Sequence, residues 1–452
     1  MILIDRLPDD VLLEMFHFYV DIFRSVEAWQ RLVHVCRRWR SVIFGSPRRL
    51  KLQLFCTANT RTRDKLDIWP ALPLVIQDFH CRTRRIDSII ALLECSDLAH
   101  RISRISLRNV SSWHLKDVWE AMQVPFPELT RLILHLYDVT EPVLPLPDSL
   151  LGGSAPRLRS LHLEGIPYPG LPKLLLSATH LTRLDLYGIP HAGYITPEAM
   201  VACLGTLTSL ERLTLKFQSP RRESGRPPLP TRIVLPVLRY FAFKGVAEYL
   251  ELLVARIDTP RLSRFDIAFF NDVVFNTPQF TRFISQTAMS EAFNVANVTL
   301  WDATASITLS SAYPKHYPRL NVGISCRELD WQLSFLEQVC SSSLPPLSTL
   351  QDLYMSGRPW PEDWKDNIDY AQWLDLLHSF SAVKNLYLSR ELAPCVVPAL
   401  QDLVGSRTTE VFPNLRNIFL RGFQSSGPVQ ESIGKFVAAR QVTSHPITVS
   451  RW

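Results

Sequence analysis

Apolar positions recur along this chain in a short pattern. A six-residue unit, Φxx-Φ-x-Φ with Φ apolar, starts at Ile102 (ISRISL), Leu129 (LTRLIL), Leu158 (LRSLHL), Leu181 (LTRLDL), Leu210 (LERLTL) and Leu238 (LRYFAF). It returns at Leu262 (LSRFDI), Val295 (VANVTL), Leu350 (LQDLYM), Val383 (VKNLYL) and Leu415 (LRNIFL), with a weaker copy at Arg319 (RLNVGI). Successive starts lie 23 to 33 residues apart. Alternation inside each unit predicts a short strand, and a helical period follows most of them, over 197–204, 247–257, 279–287, 328–340, 370–380 and 428–439.

A strand and a return helix of this length form one turn of a leucine-rich-repeat-like solenoid. No single turn buries its own apolar side, so neighbours must stack and share a core. The fold class expected is therefore α/β, with parallel strands on a concave face and helices outside. About twelve units fill 101–452, with 51–100 as a linker and amino-terminal cap. The repeat consensus places Asn or Cys three residues after the last apolar of each unit. Here those positions hold residues such as Val110, Tyr137, Ile166 and Phe423, and none is Asn or Cys. The expected arc is irregular and helix-rich.

On such strands the residue between the last two apolars, and the one after, face the inner wall. Those positions include Ile133, His135, His162, Glu164, Asp185, Tyr187, Thr214, Lys216, Lys244, Asp266, Thr299, Trp301, Tyr354, Tyr387, Phe419 and Arg421. Aromatic and charged groups interleaved on one surface suit protein binding. The substrate-binding candidates are His162, Asp185, Tyr187, Lys216, Lys244, Asp266, Trp301, Tyr354, Tyr387 and Arg421.

The first fifty residues differ. Apolar residues at Val11, Leu12, Met15, Phe16, Tyr19, Ile22 and Phe23 follow a helical period behind Pro8, Asp9 and Asp10. A second set runs from Trp29 through Leu32, Val33, Val35, Cys36, Trp39, Val42 and Ile43 to a stop at Gly45-Ser46-Pro47. Short helices this apolar cannot cover one another completely. The ordered set Leu7-Pro8-Asp9-Asp10-Val11-Leu12, Met15-Phe16, Val35-Cys36-Arg37-Arg38-Trp39 and Ser46-Pro47 resembles an F-box. The stretch between Phe16 and Val35 is longer than in most boxes. The resemblance implies a three-helix module over 1–50 that docks on an SKP-type adaptor, and through it on cullin and RING subunits of a ubiquitin ligase. The docking contacts carried over are Leu7, Pro8, Val11, Leu12, Met15, Phe16, Val35, Cys36 and Trp39. The carboxyl-terminal third (WQLSFLEQVC, SLPPLSTLQDLYMS, VKNLYLSREL, GRPWPEDW) is similar to a group of F-box proteins of basidiomycete fungi. The bland alternative is a helical cap on the following domain, with Trp39 as core.

Composition narrows the classes. Of 452 residues 46% are hydrophobic and 20% charged, and 33 Pro outnumber 16 Gly, which excludes a collagen, a coiled coil and a disordered tail protein. The eight cysteines, Cys36, Cys56, Cys81, Cys95, Cys203, Cys326, Cys340 and Cys395, contain no CxxC and read as buried thiols of a reducing compartment. Acidic residues interrupt every early apolar run, so no signal peptide is expected, and nothing approaches the ~18 apolar residues of a membrane helix. A soluble chain of cytoplasm or nucleus is the expectation.

The net charge of +6 is unevenly placed: Arg31 to Arg63 holds nine Lys or Arg and no Asp or Glu. That block either attracts an acidic partner or is a solvated face. No nucleic-acid motif accompanies it, and neither nucleic acid nor membrane is expected as a partner.

Signs of catalysis are missing. No GxGxxG, P-loop, GxSxG or HExxH is present, and His80-Cys81 lacks a second pair at ligand spacing. No enzyme activity, cofactor or metal is expected. Ser219 to Arg232 reads as a surface loop containing a PxxP at Pro227 and Pro230, and Trp360 to Asp366 as a capped helix entry or small docking patch. Taken with the resemblance, the expected function is a substrate-recognition adaptor of an SCF-type ubiquitin ligase. The alternative is an interaction scaffold that directs no degradation; an enzyme hidden in the repeats is a third class.

Overall fold

The computed structural model describes residues 6–23, 28–47, 49–57, 69–78, 86–137, 143–168, 171–221, 232–270, 277–287, 293–311, 319–345, 347–358, 370–401, 403, 407, 409–422 and 428–452. His80-Cys81, the PxxP and Trp360 to Asp366 fall outside them. Contacts divide the chain into two compact units, Met1–Ile195 and Thr196–Trp452.

The first unit opens with α1 (Asp9–Phe23), α2 (Ala28–Val33) and α3 (Arg37–Gly45). Asp9 and Asp10 sit in the first turn of α1, where the helix dipole favours negative charge, and Leu12 N–H donates to the Pro8 carbonyl at 3.1 Å. Cys36 caps α3, its Sγ accepting the Trp39 N–H at 3.4 Å. The three helices share a small core of Leu12, Phe16, Leu32, Val33 and Ile43. Trp29 meets Phe44 at 6.1 Å and Trp69 at 5.3 Å, edge to face, which ties α2 and α3 to the segment leading into the sheet.

Six parallel strands follow, adjacent in chain order: β1 (Leu54–Cys56), β2 (Leu74–Asp78), β3 (Ile102–Val110), β4 (Arg131–Leu136), β5 (Ser160–Glu164) and β6 (Arg183–Ile189). Residues 51–100, read from sequence as a linker and cap, thus supply two strands of this sheet. In β4 and β5 one set of side chains is buried in the core while the alternate set lines an open face, as in the Leu161 and Leu163 pattern of β5.

The second unit contains β7 (Arg212–Phe217), β8 (Ile233–Val234), β9 (Tyr240–Gly245), β10 (Ile257–Asp258), β11 (Arg264–Phe270), β12 (Val295–Trp301), β13 (Thr304–Ser310), β14 (Leu320–Ser325), β15 (Asp352–Gly357), β16 (Asn385–Leu388), β17 (Asn417–Leu420) and β18 (Thr448–Arg451). β8 and β10 form a separate parallel pair. The intervening helices include Pro197–Leu204, Ala247–Val254, Pro278–Gln286, Leu329–Gln338, Tyr370–His378, Ala393–Gln401 and Pro428–Val442. The Pro278–Gln286 helix is capped from its neighbour: the Glu251 carboxylate accepts the N–H groups of Gln279 and Phe280 at 2.9 and 2.7 Å.

Each of the twelve predicted units runs into a described strand. Their order departs from a simple stack in one place. β11 pairs directly with β14, β13 runs antiparallel between β14 and β12, and β12 pairs with β15. The Val295 and Arg319 units are therefore not successive turns of a repeat. They belong to a meander whose first hairpin closes through Asp302 and Ala303, between paired Trp301 and Thr304.

Candidate functional site

The amino-terminal helices leave apolar surface uncovered. Val11, Met15 and Phe18 stand at i, i+4 and i+7 on one stripe of α1 and are 42%, 46% and 68% exposed; Val35, in the turn before α3, is 58% exposed. Pro8 and Cys36 are also exposed, and Leu7 and Trp39 are partly buried. Leu12 and Phe16 correct the sequence reading. They point inward, at 0% and 2% exposure, with the Phe16 ring 4.7 Å from that of Trp39, so they hold the module together and offer nothing to a partner. Phe18 was not among the residues the sequence singled out, although its spacing places it on the stripe of Val11 and Met15.

Arginines from the basic block fasten this module. Arg38 Nη2 donates to Asp9 Oδ1 at 2.6 Å and to the Leu7 carbonyl at 2.5 Å, Arg40 Nε donates to the Val33 carbonyl at 3.1 Å, and Arg49 pairs with Glu14. Part of the one-signed charge is thus spent inside the fold.

On the open face of the first unit, His162 stands in register between Ile133 and Asp185, and Glu164 between His135 and Tyr187. Glu164 lies 3.5 Å from His135 Nε2 and 3.5 Å from His162 Nε2, and Asp185 lies 3.8 Å from His162 Nδ1 while pairing with Arg183. Burial by itself lowers the His162 pKa, but the carboxylates of Asp185 and Glu164 outweigh it and the net shift is upward. The hydrogen bond from His162 in turn holds Glu164 below the usual carboxylate range. Asp185 is fully buried beneath these partners. It positions His162 and Arg183 and is not a contact residue, contrary to its place among the candidates. Tyr187, whose ring lies 5.2 Å from that of His162, is partly exposed.

The second unit presents two kinds of surface. On β7, β9 and β11, Tyr240 lies in register between Arg212 and Arg264, whose guanidinium carbons stand 4.2 and 5.2 Å from its ring centre. Lys216 and Lys244 oppose each other two rows on; Lys216 Nζ reaches Asp266 Oδ2 at 3.6 Å, and Lys244 lies over Phe270 at 5.4 Å. Asn321 Nδ2 donates to Asp266 Oδ1 at 2.7 Å.

Toward the carboxyl terminus the surface is aromatic. Tyr354, Tyr387 and Phe419 occupy one register row and stack at 4.1 and 4.5 Å, with planes 6° and 10° apart. Trp452 closes this ladder edge-on, 5.5 Å from Tyr354 and 5.4 Å from Tyr387, with Arg421 over its indole. One row along the same face a polar ladder runs from Asp352 through Asn385 and Asn417 to Thr448, with bonds of 2.6, 2.7 and 2.6 Å. Trp301 is 41% exposed at the hairpin, with Arg358 over it at 4.8 Å.

Among the described residues no group of three or more His, Cys, Asp or Glu is placed to hold a metal ion, and no helix is long and apolar enough to cross a membrane. Burial pushes the Cys203 thiol up to about 11 and raises that of Cys340 further. No family model matches the sequence, and no curated protein matches it. Among solved structures the leucine-rich-repeat-containing protein LegL7 from Legionella pneumophila is similar over 75% of this chain and 91% of its own, at 11% identity and a TM-score of 0.28.

Proposed function

We propose that this chain is the substrate-recognition adaptor of an SCF-type ubiquitin ligase, its amino-terminal helices acting as an F-box. The observation that carries the reading is the exposed stripe of Val11, Met15 and Phe18, with Val35, on a helical module whose own core is already filled by Leu12 and Phe16. Isolated apolar side chains at a surface are ordinary, but a stripe of three on one helix marks a partner surface. The F-box resemblance names that partner as an SKP-type adaptor. The open strand faces, with Tyr187, Lys216, Lys244, Tyr354, Tyr387, Trp301 and Arg421, then receive a protein target. Tyr, Trp and Arg supply most of the energy at such interfaces.

In this role the chain lowers no chemical barrier. It raises the effective concentration of a target lysine beside a charged ubiquitin-conjugating enzyme, and orientation is its contribution. Affinity purification of the full chain against a deletion of residues 1–50 tests the reading. Recovery of SKP-type, cullin and RING subunits with the full chain only supports it. Recovery of the adaptor without cullin favours a scaffold that directs no degradation, and recovery of neither rejects the docking assignment.

A further inference from the structure

A cleft of about 240 Å³ opens in the first unit between α1, the buried face of Trp29, the start of β1 and the strand β3. Its walls carry Lys51, Arg104 and Arg49, the last already paired with Glu14, beside one lining carboxylate, Asp21, which is 3.5 Å from His17 Nδ1. We infer that this cleft binds a small anion carrying one or two phosphate groups.

Two features argue for a ligand there. First, Arg104 of β3 stands directly opposite Arg131 of β4 in the sheet register. Like charges in that relation destabilise a sheet, and an anion beside Arg104 relieves the repulsion. Among the described residues Arg104 makes no ion pair, and its pKa is lowered, by burial first and by Arg131 second. Second, Lys51 takes a left-handed backbone conformation, with φ of 51°. A lysine gains nothing locally from that strained conformation, which persists where surrounding structure enforces it and clusters at binding sites.

Size and charge select the ligand class. The volume is below the range of roughly 300–1,000 Å³ that holds drug-sized molecules, so a peptide helix is excluded while a phosphate or pyrophosphate fits. The Arg104 guanidinium fork matches the oxygens of phosphate, and the lysine adds a point charge. The site also accounts for Lys51 of the basic block, and it does not depend on the adaptor reading.

The test uses the full chain, with inorganic phosphate and pyrophosphate as probes, and chloride and acetate at matched ionic strength as controls. The thermal midpoint is expected to rise with phosphate above the chloride and acetate values, and a larger rise with pyrophosphate assigns two phosphate subsites. K51G removes the charge and relieves the backbone, so it is expected to fold at least as well without anion and to bind phosphate about tenfold more weakly, the worth of one charge-assisted hydrogen bond. R104Q is expected to lose the response. R157A, whose partner Glu128 lies elsewhere, is expected to keep it. Should R104Q fail to fold, K51G alone decides. Equal midpoints in phosphate and chloride, or a phosphate response unchanged in K51G, would overturn the assignment.

Discussion

Arg38, at the start of α3, reaches back across the module to Asp9, at the start of α1, with Nη2 2.6 Å from Oδ1 and Nε 3.1 Å from it. The same Nη2 lies 2.5 Å from the Leu7 carbonyl, so one guanidinium fixes the entry of α1 relative to α3. Both side chains are partly solvated, which caps the worth of the ion pair at about 1 kcal/mol. R38A is therefore expected to lower stability by about 1 kcal/mol in urea titration. Its effect on adaptor capture should be larger, because Leu7 and Pro8 lose their anchor.

Inward and outward residues of α1 should separate cleanly. F16A removes a ring buried to 2% and packed on Trp39, and is expected to cost about 3–5 kcal/mol. V11D and M15D alter exposed positions and should leave stability within about 0.5 kcal/mol. The same two substitutions are expected to abolish co-purification of an SKP-type adaptor. Retained capture by the V11D/M15D double variant, with its unfolding curve unchanged, would contradict the docking surface.

Tyr387 is the middle rung of the aromatic ladder, stacked on Tyr354 and on Phe419. Each such pair contributes about 0.5–1.5 kcal/mol beyond area burial, so Y387A is expected to lose about 1–3 kcal/mol. Y387F keeps both stacks and should lose less stability than Y387A. Chemical denaturation of the two variants side by side reads the difference.

His162 makes stability depend on pH. Its pKa is raised above its ordinary 6.5, so the protonated ring adds stability in full below 6.5, and that increment disappears as pH climbs through the raised value. Glu164 behaves in the opposite sense. Its depressed pKa adds stability above its ordinary 4.5, and that increment is lost as pH falls through the depressed value. H162Q is expected to flatten the decline of the thermal midpoint on the alkaline side. The acid limb should weaken as well, since His162 is the main cause of the Glu164 shift. A direct NMR titration of the His162 ring checks the sign.

How much of this was legible in the sequence follows from how local each determinant is. The twelve strands were, because leucine and its equivalents at spacings of three and two report burial on one side of a strand wherever they fall. Helix positions were too, within a few residues: 279–287 was expected where Pro278–Gln286 forms. The meander was not. No unit falls over Thr304–Ser310, and alternation in any case carries no information on which neighbour a strand pairs with. On α1 the period identified an apolar helix, yet Leu12 and Phe16 face in while Val11 and Met15 face out, and only the position of Trp39 and α2 decides that. Asp185 failed for a similar reason. Its cover comes from His162 on one strand and Arg183 on its own, a juxtaposition that exists only after β5 and β6 align.

The strand order around β13 bears on how a growing polypeptide acquires this structure. Apart from β12, whose outer edge waits for β15, the other strands of the second unit find a neighbour within one strand-and-helix interval, so assembly there advances vectorially as the ribosome releases chain. At β11 that progress halts. Its free edge, flanked by Phe265, Ile267 and Phe269, waits until Leu320–Ser325 has emerged, while the hairpin of β12 and β13 is made in between. An open edge of that hydrophobic character invites wrong pairing. Nascent chains arrested before Leu320 should accordingly need a chaperone that those arrested after Ser325 do not.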